Sequence, residues 1–187
     1  MRKMKKVLIL DGSPRMESMS STLGNWLVMS KHDKMEFYCY NAYNMNVSPC
    51  MACGWCDKNV GCVFDDMDEF FADFEAADYI VITTPVYNGG VPAPLKAIVD
   101  RFQRYYALRF AHGVKPPVAK PKRAALVITA GSKGEGREYI EKMFTRQFTV
   151  LNTTLVTTVF VDSTDTKQVG EAEYALAFEQ GKKLFEY

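Results

Sequence analysis

Short apolar segments alternate with helical patterns along this sequence of 187 residues. The apolar segments have the length of strands, and several are rich in the β-branched residues that strands favour. Five strands are predicted, at Lys6–Asp11, Met35–Tyr40, Tyr79–Thr84, Ala124–Thr129 and Thr153–Val161. Since strands that alternate with helices pair in parallel through crossover connections, the pattern predicts an α/β domain.

Helical patterns with one apolar face lie between the strands. They are predicted around Leu23–Ser30, Met67–Phe74, Leu95–Phe102, Ile140–Phe148 and Ala172–Phe185, the first after a cap in Ser20–Thr22. Right-handed crossovers then give a three-layer sandwich whose five parallel strands have the flavodoxin-like order 2-1-3-4-5. We expect residues 1–187 to form a single domain of this kind, with a cysteine-rich insertion at about residues 47–63.

The charge of the chain is balanced, with 23 Lys and Arg against 22 Asp and Glu. A net charge of +1 gives no indication of nucleic acid or an anionic membrane surface as a partner. The basic opening is followed by an apolar run of only Val7–Leu10, which is too short for a signal peptide or a membrane span. We therefore expect a cytoplasmic protein.

Four cysteines stand close together, with the spacing C-x2-C-x2-C-x5-C: Cys50, Cys53, Cys56 and Cys62. Compact runs of this kind hold iron–sulfur clusters, whereas structural zinc more often uses two C-x2-C pairs separated by a dozen or more residues. In a reducing compartment, disulfides are less expected. A [4Fe–4S] cluster is favoured; zinc, and thiols that are redox-active or unliganded, are the alternatives. Cys39, in an apolar strand, is expected to be buried and inert.

In this strand order, a ligand binds where the order reverses, beyond the carboxyl ends of strands 1 and 3. The loop after strand 1 runs into a helix and is rich in hydroxyls, which is typical of a phosphate site. Its candidate donors are Ser13, Arg15, Ser20, Ser21 and Thr22. Neither a Walker loop nor G-x-G-x-x-G is present. The alternative is an ordinary polar loop with capping serines.

The loop after strand 3 combines proline, glycine and a tyrosine, which suits a planar heteroaromatic ring lying against backbone amides. Its candidate residues are Pro85, Val86, Tyr87, Asn88 and Gly89. A third glycine-rich loop follows strand 4 and includes Gly131. Together the three loops predict a cleft for an aromatic cofactor that carries a phosphate.

Three segments, Gly12–Arg15, Pro85–Gly90 and Leu95–Arg101, resemble the NADPH-dependent FMN reductase family of flavodoxin-like proteins. The cysteine run and the following Phe64–Met67 resemble its iron–sulfur flavoprotein branch. The resemblance implies noncovalent FMN, with its phosphate on the hydroxyl-rich loop and its isoalloxazine near the loop after strand 3. It also implies that the four clustered cysteines ligate a [4Fe–4S] cluster, that NAD(P)H is a possible reductant, and that the protein is a homodimer or homotetramer.

Two features depart from the family. The first loop is about two residues longer and has Ser20–Thr22 where relatives often have Asn-Thr. The segment Tyr105–Arg123 is rich in proline and lysine, and we expect a plain loop there, with a lid or a dimer contact as the alternatives.

The leading hypothesis is an FMN-dependent oxidoreductase that couples FMN to the cluster and exchanges electrons with redox small molecules or an electron-transfer protein. The alternatives are a clusterless NAD(P)H-dependent FMN or quinone reductase, a zinc-stabilised binding module, and a plain electron carrier that reacts with protein partners but not with NAD(P)H. No catalytic side chain is predicted, because His32 and His112 have no evident partner in the sequence and are expected at the surface.

Overall fold

The computed structural model describes residues 4–31, 34–134 and 136–186. Its sheet has five strands: β1 (Lys5–Asp11), β2 (Met35–Asn41), β3 (Tyr79–Pro85), β4 (Lys122–Thr129) and β5 (Thr153–Val161). All neighbouring strands are parallel, and their order is β2-β1-β3-β4-β5. The predicted flavodoxin-like sandwich is confirmed.

Helices cover both faces of the sheet. Seven are found in the described ranges: α1 (Met19–Met29), α2 (Trp55–Lys58), α3 (Asp68–Ala76), α4 (Ala93–Arg101), α5 (Gln103–Phe110), α6 (Arg137–Val150) and α7 (Glu171–Phe185). The apolar faces of α1 and α7 form one core with the sheet, and those of α3, α4 and α6 form the other. Helix length and composition in these ranges fall short of what a membrane span requires.

The expectation of a plain loop at Tyr105–Arg123 is wrong for its first part, where α5 continues to Phe110. Tyr105 is buried against the rings of Phe71 and Phe102. This packing makes the start of the segment part of the hydrophobic core and stabilises it as a helix. The prolines lie beyond α5, and the loop is confined to residues 111–121.

The expectation that Cys39 is buried is also wrong, because the structure exposes this residue. Its strand, β2, is the outermost on its side of the sheet, and no residue of β2 is fully buried. An apolar strand pattern alone does not distinguish an edge strand from a central one. By contrast, β3 is buried along all but its last residue.

Candidate active site

A cleft of about 490 Å³ lies at the carboxyl edge of the sheet, enclosed by the loops that follow β1, β3, β4 and β5. Seven of the predicted cofactor-binding residues line it: Ser13, Arg15, Ser20, Pro85, Val86, Tyr87 and Gly131. The structure therefore brings together all three loops that the sequence singles out, at the position where the strand order reverses. Ser21, Thr22, Asn88 and Gly89 lie outside this lining.

The Asp11 carboxylate shapes the first loop. It accepts hydrogen bonds from the Ser13 amide (3.0 Å), the Thr83 hydroxyl (2.8 Å), the Ser21 hydroxyl (2.9 Å) and the Asn41 side-chain amide (3.1 Å). These donors come from β2, β3, α1 and the loop itself, so one carboxylate ties the loop to the sheet. The Ser21 hydroxyl is occupied by this contact, which explains why Ser21 is not in the cleft.

The cap of α1 is Ser18, two residues before the predicted cap region, which is a correction to the sequence analysis. The Ser18 hydroxyl accepts a hydrogen bond from the Ser21 amide at 3.1 Å, as an N-cap does. Ser20, in the first turn, is fully buried and lines the cleft. The helix N-terminus and the exposed Arg15 place partial and full positive charge at this end of the cleft, and the exposed Glu17 adds a negative charge beside them.

Asn88 and Gly89 form the tip of a tight turn beside the cleft. Tyr87 and Gly90 exchange backbone hydrogen bonds of 2.8 and 3.0 Å across it. Asn88 has φ = 50° and Gly89 has φ = 76°, so both lie in the left-handed region that a two-residue Asn-Gly turn of type I′ requires. The turn holds Tyr87, which is 40% exposed, at the mouth of the cleft.

The fourth wall of the cleft was not predicted from the sequence. It contains Thr164 and Asp165, from the loop that follows β5. The Thr164 amide donates to the Ala130 carbonyl at 3.1 Å, and a Cβ on Gly131 would overlap the Asp165 carboxylate. The polar run after β5 is a signal that could have located these residues, since all parallel strands of this sheet end at the same edge.

The four clustered cysteines line one cavity of about 430 Å³: Cys50, Cys53, Cys56 and Cys62. Cys50 and Cys53 are exposed, and Cys56 and Cys62 are half-buried. Burial raises the pKa of the Cys56 thiol, and the neighbouring Asp57 carboxylate adds to this effect. No three His, Cys, Asp or Glu side chains of residues 4–31, 34–134 and 136–186 converge on a single ion site.

The buried Arg101 holds the two ends of the cysteine segment together, and the sequence analysis gave it no role. Its Nη1 donates to the Ser48 carbonyl (2.8 Å) and pairs with Asp66 (2.7 Å), and its Nη2 donates to the Phe64 carbonyl (3.1 Å). Burial opposes the ionisation of Asp66, but hydrogen bonds from the Ser48 amide and from Arg101 outweigh it and lower the Asp66 pKa.

His112 fixes the middle of the same segment. Its Nε2 lies 2.9 Å from the Cys56 carbonyl oxygen, and the residue is half-buried. The expectation of a surface histidine without a partner is therefore wrong for His112. The other histidine, His32, lies outside the described residues.

Comparison with known proteins identifies the family. The profile of the NADPH-dependent FMN reductase family matches residues 5–167. This chain belongs to that family. The predicted membership is confirmed, and with it the expectation of an NAD(P)H-dependent FMN oxidoreductase at the level of the family.

Relatives of this FMN reductase family member include two iron–sulfur flavoproteins. The protein from Methanosarcina thermophila is 36% identical over 135 residues, which cover 71% of this chain and 67% of that protein. The protein from Archaeoglobus fulgidus is 39% identical over 93 residues, which cover 49% of this chain and 48% of that protein. The fold is similar to that of an NAD(P)H:quinone oxidoreductase from Methanothermobacter marburgensis, with a TM-score of 0.71, 15% identity and coverage of 96% and 94%.

Ser20 and Ser21 offer a test of which hydroxyl serves FMN in this reductase family member. Ser20→Ala is expected to weaken FMN binding by about 1.5–3 kcal/mol, the usual worth of a hydrogen bond to a charged group. Ser21→Ala is expected to weaken it less, because the Ser21 hydroxyl already donates to the Asp11 carboxylate. The Ser20 hydroxyl contacts another hydroxyl, that of Ser18 at 3.1 Å, and Ser20 lines the cleft. Titration of each apoprotein with FMN, followed by flavin fluorescence, measures both effects. A larger loss in Ser21→Ala would make Ser21 the phosphate contact.

Proposed function

We propose that this chain is an FMN-dependent oxidoreductase in which FMN in the cleft exchanges electrons with a [4Fe–4S] cluster on Cys50, Cys53, Cys56 and Cys62. The observation that carries the proposal is the gathering of all four thiols around one cavity, in a member of an FMN reductase family. Two relatives named iron–sulfur flavoproteins support it.

The cleft offers complementary surfaces to the two ends of FMN. At the phosphate end, the N-terminus of α1, the Arg15 guanidinium and the hydroxyls of Ser13 and Ser20 favour an anion, and the carboxylate of Glu17 opposes one. At the ring end are Pro85–Tyr87, which present an apolar backbone turn and an aromatic side chain. The Val86 amide donates to the Thr129 carbonyl at 2.7 Å, so this turn is held by the adjacent strand.

The cysteine cavity fits a cluster for two reasons. Four thiols is the number that a [4Fe–4S] cluster requires, and all four line the same cavity. The hydrogen bonds of Arg101 to the Ser48 and Phe64 carbonyls, and of His112 to the Cys56 carbonyl, order the backbone that carries the four cysteines. When bound, FMN supplies hydride chemistry and the cluster supplies one-electron chemistry. The chain itself binds and orients the two groups.

We propose a single domain with its cysteine insertion at about residues 47–63, NAD(P)H as reductant, and redox small molecules or an electron-transfer protein as partners. The homodimer or homotetramer, and the cytoplasmic location, stay predictions.

Anaerobic purification followed by analysis of iron, acid-labile sulfide and FMN tests the proposal. We expect about four iron and about four sulfide per chain, as a [4Fe–4S] cluster requires, with one FMN. Stopped-flow mixing with NADPH is expected to bleach first the flavin absorbance and then the broad absorbance near 400 nm. FMN without iron after reconstitution would instead support the clusterless reductase, and zinc without flavin would support the binding module.

A further inference from the structure

Arg101 has one nitrogen whose role the fold does not explain. It is the last residue of α4, it is 1% exposed, and it lines the cysteine cavity. Its two Nη atoms are engaged by Ser48, Phe64 and Asp66, as described above. Its Nε is buried and has no hydrogen-bond partner within the described part of the chain.

A buried guanidinium N–H without an acceptor is costly. A buried donor left unpaired loses its hydrogen bonds to water without replacing them, and the loss is larger when the group is charged. Such groups in native structures therefore usually have an acceptor that explains them. The Asp66 carboxylate is already engaged by Nη1, and the Asp100 carboxylate, which also lines the cavity, pairs with Lys96 at 2.7 Å. The guanidinium carbon lies 5.2 Å from the centre of the Phe64 ring, which contacts a face of the group but supplies no oxygen or sulfur acceptor. A hydrogen-bond acceptor bound in the cysteine cavity would satisfy the Arg101 Nε–H.

The inference drawn from this rests on the proposed function. We propose that Arg101 Nε–H donates a hydrogen bond to a sulfur atom of the [4Fe–4S] cluster or of one of its thiolate ligands. Reduction adds one electron to the cluster and breaks no bond, so a donor and a positive charge beside it favour the reduced form. Arg101 thus raises the reduction potential of the cluster, in addition to holding the cysteine segment.

Arg104 provides a matched control, because it lines the same cavity on the next helix. Its guanidinium lies 4.4 Å from the centre of the Phe71 ring and pairs with Asp68 at 3.6 Å, and its side chain is 19% exposed. Lysine at either position keeps the positive charge and removes the Nε donor. Arg104→Lys therefore controls for the exchange of an arginine for a lysine beside the cavity. Arg101→Lys also removes the Nη bonds to the Ser48 and Phe64 carbonyls, so the ¹⁵N coupling of the wild type, rather than the potential alone, identifies the Nε hydrogen bond.

The experiment uses the anaerobically reconstituted full chain, with arginine labelled by ¹⁵N at Nε and the cluster reduced to its paramagnetic form. Pulsed electron paramagnetic resonance is expected to detect a ¹⁵N coupling in the wild type and in Arg104→Lys. The coupling should be lost in Arg101→Lys, and the midpoint potential of that variant should be more negative. The potential of Arg104→Lys should match that of the wild type.

Each alternative result has a defined meaning. A wild-type protein with full iron and sulfide but no ¹⁵N coupling overturns the inference, since Nε is then satisfied by water, and leaves the proposed function standing. A coupling lost in Arg104→Lys but kept in Arg101→Lys also overturns it. If Arg101→Lys does not retain a cluster, the wild type and Arg104→Lys decide the question. A wild-type protein that holds no cluster after reconstitution overturns both the proposed function and this inference.

Discussion

Cys53→Ala is expected to remove cluster iron almost completely while FMN stays bound. The variant leaves three thiolates where a [4Fe–4S] cluster needs four. Cys53 is exposed, so its side chain contributes little to the core. The cysteine cavity and the FMN cleft share no lining residue within the described part of the chain. Loss of iron should therefore leave FMN binding unchanged. Iron, sulfide and FMN per chain after anaerobic reconstitution measure the result.

Cys39→Ala is the matched control. Cys39 is also an exposed thiol, but it lies on the edge strand β2 and does not line the cysteine cavity. This variant should keep the iron content of the wild type. Full iron in Cys53→Ala, or iron loss in Cys39→Ala, would contradict the assignment of the four ligands. Loss of FMN together with iron in Cys53→Ala would show that the two sites depend on each other.

The sheet could be predicted from the sequence because each strand is marked by its own short run of apolar residues. Central strands buried on both faces are continuous apolar runs, as in Tyr79–Pro85, and the crossover rules then leave few arrangements. An apolar run does not, however, show whether a strand lies at the edge of the sheet or in its centre. Its run Phe37–Tyr40 is as apolar as a central strand, and only the position of β2 in the sheet explains why Cys39 is exposed.

The site could be predicted only to the level of loops. A helix turns about 100° per residue, so which hydroxyl faces the cleft depends on where α1 begins. Because α1 is capped by Ser18, Ser20 lines the cleft and the Ser21 hydroxyl donates to Asp11. The local sequence does not distinguish a cap at Ser18 from one at Ser20, since both are serines. Arg101 was missed for a related reason. It lies three residues after Ile98 on the flank of an apolar face, and the fold of the cysteine segment over it is what buries it.

Asp11→Ala is expected to destabilise the fold and to weaken FMN binding together. The substitution removes the acceptor of four donors, on Ser13, Thr83, Ser21 and Asn41. The Asn41 amide still donates to the Ser13 carbonyl at 2.8 Å and the Ser21 hydroxyl still contacts the Ser18 hydroxyl at 2.5 Å, so most of the cost falls on Ser13 and Thr83. Thr83 is 1% exposed, so water cannot readily replace the lost acceptor there. With a cost of about 1–3 kcal/mol for a buried unsatisfied donor, we expect the free energy of unfolding to fall by about 2–4 kcal/mol. Urea unfolding of the apoprotein and FMN titration measure the two effects.

Glu179→Ala is the control for the loss of a carboxylate as such. Glu179 is on α7, its side chain is 60% exposed, and it pairs with Lys182 at 2.5 Å. A surface pair of this kind contributes about 0–1 kcal/mol, so this variant should unfold close to the wild type and bind FMN equally well. If Asp11→Ala lost FMN affinity but no stability, the carboxylate would act on the ligand directly. If Asp11→Ala and Glu179→Ala had the same stability and the same FMN affinity, the loop would keep its shape without Asp11. The α1 cap alone would then position the hydroxyls of the cleft.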